Sequence, residues 1–160
     1  MMAFGEEACA AMGGVDTLIN VVGIGGPTVS AEDLSLEDWQ RVLDINLMGG
    51  FALTKSVIPT MKAQQLGCII NISSASVKTV LPLWLPYIVP KVGLEGLTTN
   101  LARELGPSGI RVNAIRPGPL SGPRMNHIKK QKSQALGMTE EQIRKRSSAL
   151  NLAAFNDPLR

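Results

Sequence analysis

The chain is poor in the residues on which several whole classes of protein depend. Aromatic side chains make up 4% of its 160 residues, and it has two cysteines and one histidine. Cys9 and Cys68 form no C-x-x-C spacing and cannot build a disulfide framework, which fits a reducing cytosol. His127 has no partners at metal-ligand spacing, so no metal site is expected and the residue reads as a solvent-exposed loop histidine. Long hydrophobic runs are also missing. The longest uncharged stretches, 17–31 and 63–77, span 15 residues each and contain polar residues and glycine, so no membrane span is expected. Glu6 and Glu7 stand where a secretory leader would carry positive charge, which leaves a cytoplasmic protein as the expectation. There is no G-x-S-x-G and no P-loop, so serine hydrolase and nucleoside triphosphatase chemistries lack support. No internal repeat or low-complexity tract appears.

What is present suits one globular unit. The chain is 44% apolar and 18% charged, enough aliphatic surface for a buried core, and its length predicts a single domain over 1–160. The net charge is +3, and the excess is local: residues 124–146 hold seven basic and two acidic side chains. A nucleic-acid binder is more often basic throughout, so no nucleic-acid partner is expected. The basic stretch reads either as a solvated face or as an attractor for an acidic or phosphate-bearing substrate.

Three short apolar runs, Thr17–Ile24, Cys68–Ser73 and Arg111–Ile115, are rich in Ile, Val or Leu and close in Gly, Ser or Pro, as buried parallel strands do. Two helical patterns lie between them. The first spans about 35–63, with Ser35 and Asp38 as its N-terminal signature. Leu36, Trp39, Leu43, Leu47, Gly50, Thr54, Val57 and Met61 then form one face. The second spans about 87–105, carries Val92, Leu94, Leu97, Leu101 and Leu105, and ends at Gly106-Pro107. Residues 3–12 form a short helix candidate and Thr139–Leu150 another, capped by Thr139. Strand, helix, strand, helix, strand predicts an α/β fold with a parallel sheet and right-handed crossovers, part of a doubly wound arrangement. Both long helices should cover one face of the sheet, leaving the other to residues 1–12 and to the chain beyond 120.

Several residues could do chemistry. Tyr87 and Lys91 are spaced i, i+4, on one side of a helix. A free phenol titrates near pH 10, and bringing such a group about three units lower requires about 4 kcal/mol from a close cation and hydrogen bonds. Ser74 ends the second apolar run, at the carboxyl end of a strand where ligands bind in open parallel sheets. It reads either as a polar strand terminus or as a hydroxyl that holds a substrate oxygen. Asn46 lies within the first helix, either facing solvent or with a buried partner. The loop Leu81–Pro86 reads either as core packing or as an apolar wall of a substrate pocket.

Five of these segments, in order, resemble the short-chain dehydrogenase/reductase family. Asp16–Gly23 resembles its D-x-L-V-N-N-A-G strand, Asp44-Ile-Asn46 the segment with the catalytic asparagine, and Asn71-Ile-Ser-Ser74 the strand that delivers the serine. Tyr87 and Lys91 match the tyrosine and lysine, and Arg111–Gly118 resembles the R-V-N-x-x-x-P-G strand and turn. The likeness runs from about Gly14 to Met125, more loosely to Leu150, and is closest to 3-oxoacyl-carrier-protein reductase-like members. It implies an oxidoreductase that moves a hydride between a secondary alcohol or ketone and NAD or NADP. Tyr87 would exchange a proton with the substrate oxygen and Ser74 would hydrogen-bond it. Lys91 would assist Tyr87 and bind the nicotinamide ribose, and Asn46 would support a water relaying protons to Lys91. Asn20, Gly23, Tyr87, Lys91, Pro117, Gly118 and Leu120 would line the cofactor. Residues 121–150 would form the substrate-loop region.

The resemblance also implies a homo-oligomer, formed through helices 35–63 and 87–105. The family's T-G-x-x-x-G-x-G turn, which seats the pyrophosphate, is not among these 160 residues. The chain alone is therefore expected to be impaired or inactive, and the alternative is a non-catalytic, self-associating interaction module. Val21-Val22 and Val89-Pro90 also depart from the family pattern. If the second helix starts well before Tyr87, Pro90 falls in its interior.

Overall fold

The computed structural model describes residues 1–78, 82–118 and 122–145. Three strands, β1 (Thr17–Asn20), β2 (Gly67–Ile72) and β3 (Ile110–Ile115), form one parallel sheet in that order. Leu18 pairs with Ile69, which pairs in turn with Val112, so these three side chains share one face. A helix α1 (Met2–Met12) precedes β1. The first crossover runs through α2 (Leu36–Leu43), a π-helical turn (Asp44–Met48) and α3 (Gly49–Gln64). The second is α4 (Leu85–Leu105), and α5 (Pro123–Leu136) comes after β3. This is the α/β, partial doubly wound fold that the pattern predicts.

Both crossover helices lie on the Ile69 face. Val57 and Met61 of α3 and Leu101 and Leu105 of α4 close over Ile69, Ile110 and Val112, with Cys9 of α1 completing the core. Ser35 caps α2 as expected: its Oγ accepts from the Asp38 N–H at 3.1 Å. Thr139 likewise starts a helical turn by accepting from the Gln142 N–H at 3.3 Å, while the Gln142 side chain accepts from the Thr139 N–H at 2.8 Å. The rest of that helix candidate, beyond residue 145, lies outside the described residues.

The structure departs from the sequence reading in four places. The first strand ends at Asn20, and Val21 and Val22 are exposed beyond it. The long first helix is interrupted by the π turn, and Leu36, counted on its apolar face, is 84% exposed while Val42 is buried. One extra residue in the turn rotates α2 relative to α3, so a single 3.6-residue stripe does not fit both halves. The second helix begins at Leu85, two residues before Tyr87, so Pro90 does fall in its interior. Its missing N–H leaves the Pro86 carbonyl without the usual partner, yet Pro90 itself is fully buried.

The last departure concerns α1. It packs on α3 rather than on the far face of the sheet. Gly5 permits the contact, since a Cβ there would overlap the Ser56 side chain. Among the described residues the far face therefore stays open, with Ile19 54% and Ile115 49% exposed. Among those residues, too, no helix is long and apolar enough to cross a membrane.

Candidate active site

The site forms where β2 and β3 run out. The ladder continues past both strand ends: the Ser73 N–H donates to the Ile115 carbonyl at 2.8 Å and the Ala75 N–H to the Pro117 carbonyl at 3.0 Å. Ser74 is thus held extended, buried, and level with Pro117. Its Oγ accepts from the Ser76 N–H at 3.2 Å, which caps the short turn Ala75–Val77. A hydroxyl has a proton to give besides.

Tyr87 enters from the first turn of α4, half-buried, its ring edge-on to Trp84 with centroids 5.4 Å apart. Lys91 sits one turn later and is 3% exposed. Its Nζ lies 5.9 Å from the Tyr87 ring centroid and donates to the Ile72 carbonyl at 2.7 Å. That bond locks α4 to the last residue of β2, immediately before Ser73 and Ser74. Pro90 does not pull Lys91 away.

Asn46 is buried, 2% exposed, inside the π turn. It takes the Ile24 N–H on Oδ1 at 2.7 Å and gives Nδ2 to the Ile24 carbonyl at 2.9 Å. The loop after β1 is thereby held beside α4. At Gly23 a Cβ would stand 3.4 Å from both Asn46 Oδ1 and Lys91 Nζ, so these two polar groups converge on one bare stretch of backbone. Gly118, beyond β3, opens onto free space. Leu120 lies outside the described residues.

Asn20 is buried and fully engaged within the protein. Its Nδ2 donates to Thr54 Oγ1 at 3.0 Å and to Asn71 Oδ1 at 2.8 Å. Asn71 passes the chain on to Thr98 at 2.9 Å, and Thr98 to the Leu94 carbonyl at 2.7 Å. This buried ladder ties β1, β2, α3 and α4 together under the site.

Sequence reasoning missed three groups. Ser73 donates to Glu95 at 2.7 Å, and Glu95 holds Arg116 through a two-pronged ion pair. Arg116 keeps the Glu95 carboxyl below its ordinary pKa, against the opposing pull of partial burial. Trp84 and Lys132 form the third. The Lys132 ammonium lies 3.6 Å from the Trp84 ring centroid, and burial pushes its pKa down to about 8. In the loop Leu81–Pro86, whose first residue lies outside the described residues, Trp84 packs against Tyr87 and Lys132 and Pro86 is buried. His127 is exposed, though on α5 rather than in a loop, and no metal-binding group of His, Cys, Asp or Glu occurs among the described residues.

A family profile described as enoyl-(acyl carrier protein) reductase matches residues 1–153. The chain belongs to the short-chain dehydrogenase/reductase family. It is 38% identical over 150 residues to a 3-alpha-(or 20-beta)-hydroxysteroid dehydrogenase of Mycobacterium tuberculosis, covering 93% of this chain and 57% of that one. Among solved structures it is similar to an NAD+-bound xylitol dehydrogenase, with TM-score 0.80 and 30% identity over 84% of this chain and 52% of that chain. It is also similar to a metagenomic short-chain oxidoreductase in complex with NADP, with TM-score 0.69 and 33% identity over 74% and 54% of the two chains. The chain thus spans a little more than half the length of these short-chain dehydrogenases/reductases.

Proposed function

We propose that this chain carries the proton-transfer centre of an NAD(P)-dependent oxidoreductase that interconverts a secondary alcohol and a ketone. One observation carries the reading: Lys91, one turn from Tyr87, is bonded to the carbonyl of Ile72, from which the chain runs directly into Ser74. The helix turn that carries Tyr87 and Lys91 is thereby tied to the strand end that carries Ser74.

In the oxidation direction Tyr87 Oη accepts the proton of the substrate hydroxyl, and in reduction it returns that proton to the ketone oxygen. Ser74 Oγ donates to the same oxygen and holds it in place. Lys91 stabilises the negative charge that develops on Tyr87. Asn46 fixes the Ile24 loop and supports a water on the way to Lys91. Proton transfer of this kind contributes about 10²–10⁴ in rate.

A nicotinamide dinucleotide, when bound, supplies the hydride acceptor or donor. The residues present fit its nicotinamide–ribose end. Lys91 Nζ beside bare Gly23 suits a ribose hydroxyl, and Pro117 and Gly118 suit the ring; Leu120 joins them by resemblance alone. Asn20 serves indirectly by holding the end of β1, and residues 121–150 serve as the substrate-loop region. No residue of this chain is assigned to the pyrophosphate.

Titration with millimolar NADH or NADPH tests the reading. Altered Trp39 and Trp84 fluorescence and raised melting temperature are expected. No change with either cofactor sinks the enzyme reading for this chain.

Exposed Met48, Val89 and Val92 on helices 35–63 and 87–105 favour a second role, self-association through these helices. Sedimentation should show a species larger than one chain, and Val92→Glu should shift it toward the monomer.

A further inference from the structure

Among the described residues, Lys132 is the one strongly buried lysine that the proposed chemistry does not use. Its neighbours on α5 are ordinary surface lysines: Lys130 is exposed and Lys129 half-exposed, whereas Lys132 is 7% exposed. Its ammonium rests 3.6 Å from the Trp84 ring centroid, and that ring meets Tyr87 edge-on at 5.4 Å. Among the described residues it makes no ion pair and no hydrogen bond. The carboxylates that do form pairs serve others: Glu95 holds Arg116, and Glu141 holds Arg144 and Lys145.

Buried charges are ordinarily paired, and an aromatic face is a weak substitute for a carboxylate. Burial lowers the pKa to about 8, which still leaves most of the ammonium charged at neutral pH. A methionine would fill the same volume without this cost. The group is one anion short, and it stands one aromatic ring away from Tyr87.

We propose that Lys132 binds an anionic group on the substrate, so that the site takes short secondary alcohols and ketones bearing a carboxylate or a phosphate. The proposal rests on the reading of Tyr87 as the proton-transfer residue, because that fixes where the carbinol end lies. By way of Trp84 the Lys132 ammonium and the Tyr87 ring lie no more than about 9 Å apart, which limits how far the anion can stand from the reacting carbon. The strongly basic character of 124–146 then serves to attract such a molecule, with Lys132 as its endpoint.

The test uses the chain with Trp39→Phe, so that Trp84 is the sole indole reporter. It is titrated with 3-hydroxybutyrate, with sn-glycerol 3-phosphate, and with the uncharged 3-hydroxybutanamide. Saturable change of Trp84 emission below about 20 mM is expected with at least one anion, with the amide weaker by about tenfold or more. The stronger of the two anions names the source. Lys132→Met should weaken binding by about tenfold or more, and Lys132→Arg should retain it. Equal response to acid and amide, no saturation by either anion, or unchanged affinity in Lys132→Met each overturns the proposal. Far-ultraviolet dichroism and melting of each variant establish that it is folded. Should Lys132→Met not fold, Lys132→Gln takes its place with the same expected loss. The readout needs no turnover. A Lys132-dependent anion response without any response to NADH or NADPH would therefore sink the dehydrogenase reading and leave the anion site standing.

Discussion

Asn46 and Ile24 hold each other through two hydrogen bonds, from the Ile24 N–H to Asn46 Oδ1 at 2.7 Å and from Asn46 Nδ2 to the Ile24 carbonyl at 2.9 Å. The side-chain amide acts here as a piece of strand would, pairing with both polar groups of one residue. The π turn matters to this geometry. An ordinary helix would turn position 46 elsewhere for the same chain length, and such extra-residue turns occur often at functional sites.

Replacing Asn46 with Leu should therefore do more than remove a polar group. Both Ile24 groups lose their partners while the buried volume is kept. A loss of about 3 kcal/mol in urea unfolding is expected, because each orphaned group costs about 1–3 kcal/mol. Asn46→Asp keeps the acceptor and should cost less.

The Asn20–Asn71 contact predicts coupling. Asn71→Ala removes an acceptor from Asn20 and a donor from Thr98, at an expected cost of about 2 kcal/mol. Asn20→Ala combined with it should cost clearly less than the two single losses together, since both break one network. A double-mutant cycle by chemical denaturation measures this. Additive losses would mean the ladder does not act as a unit.

Lys132 predicts a pH dependence of stability. Its folded pKa is lowered to about 8 from the ordinary lysine value of 10.5, so between those values the unfolded chain binds more protons. Stability should rise as pH climbs through that window. In Lys132→Met the rise should disappear, and melting at pH 7 should match or exceed that of the parent chain. Thermal melts from pH 7 to 10.5 read both effects.

Glu95 predicts the opposite end of the scale. Arg116 first, and then Ser73, hold its carboxyl below 4.5, so its contribution is present above that value and is lost as pH falls through the lowered pKa. Arg116→Met should shift acid unfolding to higher pH. The effect should be modest and should shrink in salt, because the Arg116 side chain is 44% exposed.

Much of this was legible along the chain. Val, Ile and Leu in short runs, separated by amphipathic stretches of helix length, dictate parallel strands and crossovers, because burial and period are local properties. Ser35 and Thr139 announce their helices for the same reason: a cap joins residues three apart. Tyr87 and Lys91 share a helix side by spacing alone. Ser74 falls at a strand's carboxyl end by position alone, so the outline of the site also comes from order in sequence.

Tertiary packing alone decided the rest, because the groups that meet are far apart in the chain. Ile24 and Asn46, Asn20 and Asn71, Glu95 and Arg116, and Trp84 and Lys132 are each separated by a full element or more, and no period connects them. Gly5 lets α1 lie close against Ser56 on α3, where pattern alone leaves it free for the far face of the sheet. A Lys in a basic stretch looks like any other until folding takes its water away. At Lys132 that desolvation is what separates a surface charge from a candidate ligand for an anion.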